Sequence, residues 1–532
     1  MAPRSEREAP TAAQSTAEGC SPEPEHVPVV VVGTGFAGLG AAIALQREGR
    51  EHLVLERAGD LGGTWRDNRY PGCRCDVPSH LYSFSFAPNP DWSETYSPQG
   101  EIRAYLQRVA EEHGVLDRVR FDCEVRHATW DERGQRWHLD TSQGPLTTEV
   151  LLLGNGPLAE PAIPDIPGRE DFAGTAFHSA AWSDHDLTGE RVAVVGTGAS
   201  AVQFVPEIAD AVAHLTVFQR TPPWVLPHRN RRISDAERAV YRRLPGAQRA
   251  VRGMVYWSRE LLAGALLRND RSLERLEGLA RRHLHSQVPD PRLRARLTPD
   301  YRPGCKRLLL SDDWYATLQR AHVEVVTDKI TEIRPHGLVT SDGAEHEVDT
   351  IIYGTGFHVT DNPIAHRVSG VGGRSLAAAW EESGAQAYLG TTVPGFPNLF
   401  LLAGPNTGIG HTSLVVMIEA QLAYVMDALR VRDERGAATL ELRAPVLEGW
   451  TREVQAKAAG TVWNSGGCAS WYLDEQGRNT TLWPDHTFRF RRRTRRFDVE
   501  RYELTAPRNA IAHDAASRGG EPPRLEHLEV AP

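Results

Sequence analysis

The sequence predicts an α/β chain with two parallel-sheet units and a mainly helical insertion, and three observations carry that expectation. Three short apolar runs, Val29–Val32, residues 192–195 and Thr350–Tyr353, each give way to glycine. Continuous apolar strands of this kind suit parallel sheets covered on both faces. The first two runs pass through a glycine-rich turn into a helical pattern, over residues 37–47 and 199–211, which makes two βαβ units. Between about residues 235 and 297 the pattern becomes Arg-, Leu- and Ala-rich with helical periodicity, read as an insertion of solvated amphipathic helices.

Bulk composition bounds the rest. A chain of 532 residues is long for one core and predicts two or three domains. Hydrophobic residues at 40% and charged residues at 24% place it among globular proteins. A net charge of -9 opposes binding to a polyanion, so nucleic acid is excluded as a partner. No stretch approaches the ~20 apolar residues of a membrane span, and the N-terminus lacks the apolar run of a signal peptide, so a cytoplasmic protein is expected. The six cysteines, Cys20, Cys73, Cys75, Cys123, Cys305 and Cys468, are few and scattered, which suits a reducing compartment. Cys73 and Cys75 are one residue apart and match neither a zinc knuckle nor a CxxC pair. They read as ordinary loop thiols, and no metal is expected. Residues 1–25 and 507–532 lack hydrophobic periodicity and read as disordered tails. The basic run at residues 491–496, flanked by Phe488, Phe490 and Phe497, reads as a strand or surface loop.

The first βαβ unit carries a complete dinucleotide fingerprint. Gly33 makes the tight turn, Gly35 lets the backbone approach a pyrophosphate, and Gly38 allows close helix–strand packing. Glu56 ends the next strand eighteen residues after Gly38, where a carboxylate accepts hydrogen bonds from ribose hydroxyls. Which dinucleotide binds does not follow from this motif.

The second unit has Gly196, Thr197, Gly198, Ala199, Ser200 and Ala201 in the corresponding turn, but no acid after its second strand. Gln219 and Arg220 stand there instead, followed by Thr221. A guanidinium in that place pairs with a 2′-phosphate, so NADPH is preferred over NADH.

The intervening segments carry a family likeness. Phe172, Gly174, His178 and Trp182 match FxGxxxHxxxW; Gly62, Gly63, Trp65, Tyr70, Pro71, Gly72 and Asp76 match GGxW…YPGxxxD. Together with residues 303–307, 353–357 and 470–472, the chain from about residue 28 to 490 resembles the type I Baeyer–Villiger monooxygenases, a class of flavoprotein monooxygenases. One departure is Ser183, which intervenes before Asp184 where the family has Pro or Asp directly after the tryptophan.

The resemblance implies two Rossmann-like dinucleotide-binding domains, for FAD and NADP, with the helical insertion at about 230–300. The FAD domain would be discontinuous, over 26–157 and 345–506, and the NADP domain would span 158–344. It implies that NADPH reduces FAD, that O2 forms a flavin C4a-peroxide, and that this attacks a ketone to give an ester or lactone. Arg307 matches the catalytic arginine that stabilises the peroxide and the following oxyanion, as a permanently charged donor fork suits. Asp76 matches the carboxylate that orients it. Thr64, Trp65, Arg66, Asp67, Tyr82 and Val125 fall where the family lines FAD, and Arg74 beside both cofactors. Lys306 joins Arg220 and Thr221 at the 2′-phosphate, and Trp471 falls at the nicotinamide half of NADP. His178 reads as a coupling residue in the linker between domains. Residues 398–407 match a returning segment that reaches the flavin, and residues 408–417 and 460–467 border the substrate pocket. Other readings stay open: an N- or S-oxygenating flavin monooxygenase, or an NADPH-binding sensor without catalysis. A disulfide reductase would need a redox-active cysteine pair after the first βαβ unit, which CxC does not supply.

Overall fold

The computed structural model describes residues 24–268 and 270–508. Its frame is a pair of five-stranded, all-parallel sheets. In the first, the strands run in the order Leu399–Leu401, Val150–Leu153, Val29–Val32, Leu53–Leu55 and Val119–Arg120. In the second the order is Val323–Val326, His214–Phe218, Arg191–Val195, Thr350–Tyr353 and Thr175–His178. All four residues of Val150–Leu153 and of Thr350–Tyr353 are buried, as suits strands covered on both faces, and the one polar side chain that opens the second run, Thr350, donates its hydroxyl to Glu190 at 2.7 Å.

Helix Phe36–Arg47 crosses from the first strand and packs against the long helix Leu414–Glu434; both are buried along most of their length. A third sheet, built around the hairpin strands Val125–Asp131, Arg136–Thr141 and Gly144–Thr148, flanks the first unit. The insertion consists of helices Asp235–Arg243, Pro245–Arg268, Asp270–Gln287 and Pro291–Arg296. Ser234 and Glu237 close a capping box at its start, and Asp290 caps the last helix, so each end satisfies its orphan N–H groups locally.

Two expectations need correction, and a third falls mostly outside the described residues. Strand Thr350–Tyr353 pairs with Arg191–Val195 in the second sheet, so the return to the first unit follows Tyr353 and not residue 345. Neither a strand nor a loop occupies residues 491–493: they end the helix Thr487–Arg493, which buries Phe490 and turns its arginines outward, because helical spacing alone puts Phe490 and Thr494 on one inward face. The tails expected over 1–25 and 507–532 lie outside the described residues except at their inner ends, where Glu25–His26 pairs in parallel with Gly144–Thr148. No helix among the described residues is long and apolar enough to cross a membrane.

Candidate active site

The first glycine turn is shaped from both sides. Gly33 has φ +94°, and a Cβ on it would stand 2.9 Å from the Gly154 carbonyl oxygen. A Cβ on Gly38 would stand 1.8 Å from the Gly33 carbonyl oxygen, so helix and turn touch there. Gly35 is different: the nearest atom to its Cβ position is the Gly63 Cα at 3.9 Å, and the space beyond is a cleft. That cleft, together with the solvent space at its mouth, holds about 1190 Å³ free of protein atoms. Gly33, Gly35, Glu56, Thr64, Trp65, Arg66, Asp67, Tyr82 and Val125 all line it, as do Ala403 of the returning segment and Leu414 and Val415 of the stretch expected at the substrate pocket.

Charge in the cleft is held rigidly. Glu56 is buried, and one carboxylate oxygen accepts from the Thr34 backbone N–H at 3.0 Å and hydroxyl at 2.6 Å. Its other oxygen accepts from Arg66 Nη1 at 2.8 Å. Burial works against the Arg66 charge, yet Asp67 and Glu56 hold its pKa above the ordinary value. Trp65 Nε1 donates to the Tyr82 hydroxyl at 3.0 Å, which fixes both rings at the wall.

The second turn repeats the geometry. Gly196 has φ +105° with the Gly354 carbonyl oxygen 2.5 Å from its Cβ position, whereas the nearest atom to that of Gly198 is 3.8 Å away. Helix Ala199–Ile208, which includes Ser200 and Ala201, starts there and points its free N–H groups at the open side. Thr197 donates its hydroxyl to the Thr221 carbonyl at 3.3 Å, tying the turn to the segment after Arg220. Arg220 is exposed, and Lys306 lies over the Tyr301 ring. Burial and the neighbouring Arg220 lower the Lys306 pKa, so two cations share this corner, a preformed place for an anion.

Between the turns lies Arg307. Its Nη2 donates to Asp76 Oδ1 at 2.7 Å and its Nε to the other carboxylate oxygen, a bidentate pair between residues 231 apart in sequence. Asp76 and the surrounding burial act oppositely on Arg307, and the carboxylate prevails, raising its pKa; burial raises that of Asp76, but Arg307 brings it below the usual carboxylate value. Both groups stay charged. The fork leaves Nη1 with one long contact, 3.5 Å to the Ile409 carbonyl, and the side chain is 31% exposed. Asp76 shares a small cavity with Ala199 at the second turn. Tyr70 donates to Gln203 Oε1 at 3.1 Å, and the Arg74 backbone N–H reaches the same atom, so the YPG segment rests on the second unit's helix. The Arg74 guanidinium pairs with Glu94 at 3.0 Å.

Two site features escape the sequence. The Tyr472 hydroxyl lies against the Arg307 guanidinium, and Tyr472 is 1% exposed; burial pushes its phenol up to about 12, with Arg307 acting in the opposite direction. The Ser-Trp-Tyr motif marked it, but gave it no role. Cys305 and Cys468, read as scattered, form a disulfide; their separation of 163 residues hides the contact. Cys73 and Cys75 are free and buried, and burial pushes the Cys73 thiol up to about 12, leaving it unreactive. His178 caps a 3-10 turn by accepting from the Ala180 N–H, and burial lowers its pKa to about 4, so the ring is neutral at pH 7. Trp471 is 43% exposed.

Comparison with known proteins agrees with this geometry. The family model described as pyridine nucleotide-disulphide oxidoreductase matches residues 30–237. A Baeyer–Villiger monooxygenase of Streptomyces coelicolor is 52% identical over 486 residues, 91% of this chain and 93% of that protein. Another from Pseudomonas aeruginosa is 47% identical, covering 94% of this chain and 97% of its own. The crystal structure of an OTEMO complex with FAD and NADP superposes with a TM-score of 0.83 at 28% identity, covering 91% of this chain and all of that one.

Proposed function

The chain belongs to the Baeyer–Villiger monooxygenase family and is an FAD-dependent, NADPH-using monooxygenase, and we propose that it converts a ketone to an ester or lactone with Arg307 as its anion-stabilising group. The balance is ketone, O2, NADPH and a proton in, and ester, water and NADP+ out. FAD, held by the Gly35 turn, Glu56 and the Trp65–Tyr82 wall, would supply the oxygen-activating chemistry in that reaction. The single observation that carries the reading is the bidentate pairing of Arg307 with Asp76, which leaves Nη1 with only its long contact to the Ile409 carbonyl at the junction of two glycine-turn clefts.

Each residue has a task in this reading. The Gly35 backbone and the N–H groups after it take the FAD pyrophosphate, in space a Cβ would occupy. Glu56, already held by Thr34, takes the ribose hydroxyls. Trp65, Arg66, Asp67, Tyr82 and Val125 wall the flavin side. Arg220, Thr221 and Lys306 take the 2′-phosphate, and Trp471 covers the nicotinamide half. Asp76 keeps Arg307 charged and aimed, so that an oxyanion beside it gains a fixed donor in place of mobile water. Tyr472 buttresses the guanidinium from the other side. The FAD unit comprises residues 26–157 and 354–506, the NADP unit 158–353, and the substrate is a small ketone.

The test compares the parent with Arg307→Ala. NADPH is added without air and flavin bleaching recorded, then O2 and a panel of cyclic and linear ketones, with sulfides and amines as rivals. The parent makes ester or lactone, and the variant still bleaches but forms ester about 10²–10³ times more slowly. Ester formation by the variant at the parent's rate overturns the role of Arg307. A parent that oxygenates sulfide or amine while leaving every ketone untouched overturns the reaction class, and one that binds NADPH without consuming oxygen is a sensor.

A further inference from the structure

We propose that the Cys305–Cys468 disulfide is a positioning tether for the oxygenation, holding the Trp471–Tyr472 loop against the Arg307 loop so that the nicotinamide coenzyme stays in place throughout the cycle. The inference rests on the assignment of Arg307 and Trp471 made above.

Two segments distant in sequence meet at three points. The Arg302 N–H donates to the Gly466 carbonyl at 3.0 Å. Next, Cys305 bonds to Cys468. Finally, the Arg307 guanidinium meets the Tyr472 hydroxyl. The covalent link is thus two residues before Arg307 and four before Tyr472, and it closes a short ring that contains both. Packing at the link is tight: a Cβ on Gly466 would fall 2.5 Å from the Cys305 Cβ, so glycine is what lets the segments approach so closely. Cys305 is 1% exposed, whereas Cys468 is half-buried in a stretch whose neighbours Gly467 and Ala469 are exposed.

Tyr472 is buried against Leu266, Val462, Trp463 and Leu482, but Trp471 beside it has little to hold it. Trp471 is 43% exposed, its carbonyl accepts one contact of 3.4 Å from the Thr481 hydroxyl, and its ring packs edge-on to Tyr472. A large aromatic in that condition must be ordered whenever it covers a ligand, and the tether removes part of that cost before the ligand arrives. Lys306 lies between the two anchored residues Cys305 and Arg307, so the same bond also steadies one of the two cations expected at the 2′-phosphate. The tether therefore acts on coenzyme retention, while the flavin cleft, lined by other segments, is untouched.

The experiment uses the full-length holoenzyme. Denaturing alkylation before and after phosphine treatment counts thiols; the phosphine takes up oxygen to become its oxide, and the S–S bond yields two thiols with protons from water. KM for NADPH, kcat and H2O2 released per NADPH are then measured on untreated, reduced and Cys468→Ser enzyme. We expect two more alkylated cysteines after reduction. KM for NADPH should rise about 10-fold in both opened forms, as the freed loop costs more to order. The H2O2 share should rise with it, while the rate of flavin reduction at saturating NADPH changes less than about 2-fold. Phosphine should not change Cys468→Ser further, and reoxidation should restore the reduced parent. Equal thiol counts, or an unchanged KM and H2O2 yield in the opened forms, overturn the tether. Reduction of the parent provides the answer even where the serine variant folds poorly. A failure of the functional reading looks different: the untreated enzyme then makes no ester at all.

Discussion

Replacing Arg220 by alanine tests the coenzyme assignment most directly. Arg220 is exposed and makes no ion pair among the described residues, and Lys306 beside it has its pKa lowered by burial and by Arg220 itself. A charge-assisted hydrogen bond is worth about 1.5–3 kcal/mol. Exposure puts Arg220 at or below the low end of that range, because solvent screens it. Lys306, already a cation beside it, remains and retains part of the attraction for the phosphate. A net loss of about 1.4 kcal/mol is a tenfold change. Thus kcat/KM for NADPH should drop about 5- to 10-fold, while that for NADH stays within about 2-fold, since NADH offers no 2′-phosphate for the missing fork. Steady-state oxidation of both coenzymes at low and high salt is the assay, and the NADPH penalty should shrink at high salt. Equal losses for the two coenzymes would refute the reasoning, because they would mean that Arg220 supports the loop and not the phosphate.

Two further outcomes follow from the same geometry. Gly35→Ala should fold with near-parent thermal stability and purify without flavin, because its Cβ meets only the Gly63 Cα at 3.9 Å and fills the cleft; Gly38→Ala should lose about 4 kcal/mol or fail to fold, its Cβ falling 1.8 Å from the Gly33 carbonyl oxygen. Flavin absorbance per protein and melting curves separate the two, and a colourless Gly38→Ala of full stability would contradict the packing. Burial lowers His178 to about 4 from 6.5, so the unfolded chain binds a proton that the folded one refuses between those values. Stability should therefore fall as pH drops from 6.5 towards 4, by about 3 kcal/mol from this ring, and urea titrations of His178→Asn should show a flatter pH dependence.

The parts of the site that were legible in the sequence are those written in consecutive residues. A strand, a glycine turn and a helix succeed one another within the nineteen positions from Val29 to Arg47, and the constraint on each glycine is local, so Gly33, Gly35 and Gly38 announce the cleft. Arg220 is legible for the same reason, as the residue standing where a carboxylate would be. Contacts between distant residues leave no such trace. Asp76 and Arg307 are joined only through the family motifs around them, and Tyr472 and the Cys305–Cys468 bond depend on loops whose meeting no periodicity encodes. Strand Thr350–Tyr353 was visible as a strand, yet its sheet was not, since any apolar run fits either sheet and only the crossover geometry decides. The arginine-rich segment misled for a related reason: charge dominates its composition, while the helix is set by the few side chains, Phe490 among them, that face inward.

The order of strands in the first sheet also governs how the chain is made. Val150–Leu153 has Val29–Val32 on one side and Leu399–Leu401 on the other, so one flank of a fully apolar strand waits for a partner that is synthesised nearly 250 residues later. At ribosomal rates of ~5–20 residues per second, that wait lasts roughly 10–50 s, during which the intervening unit is completed and a bare strand edge is open to other nascent chains. Yield in a foreign host should therefore depend on translation speed and chaperone supply between codons 153 and 401 more than on the stability of the finished enzyme.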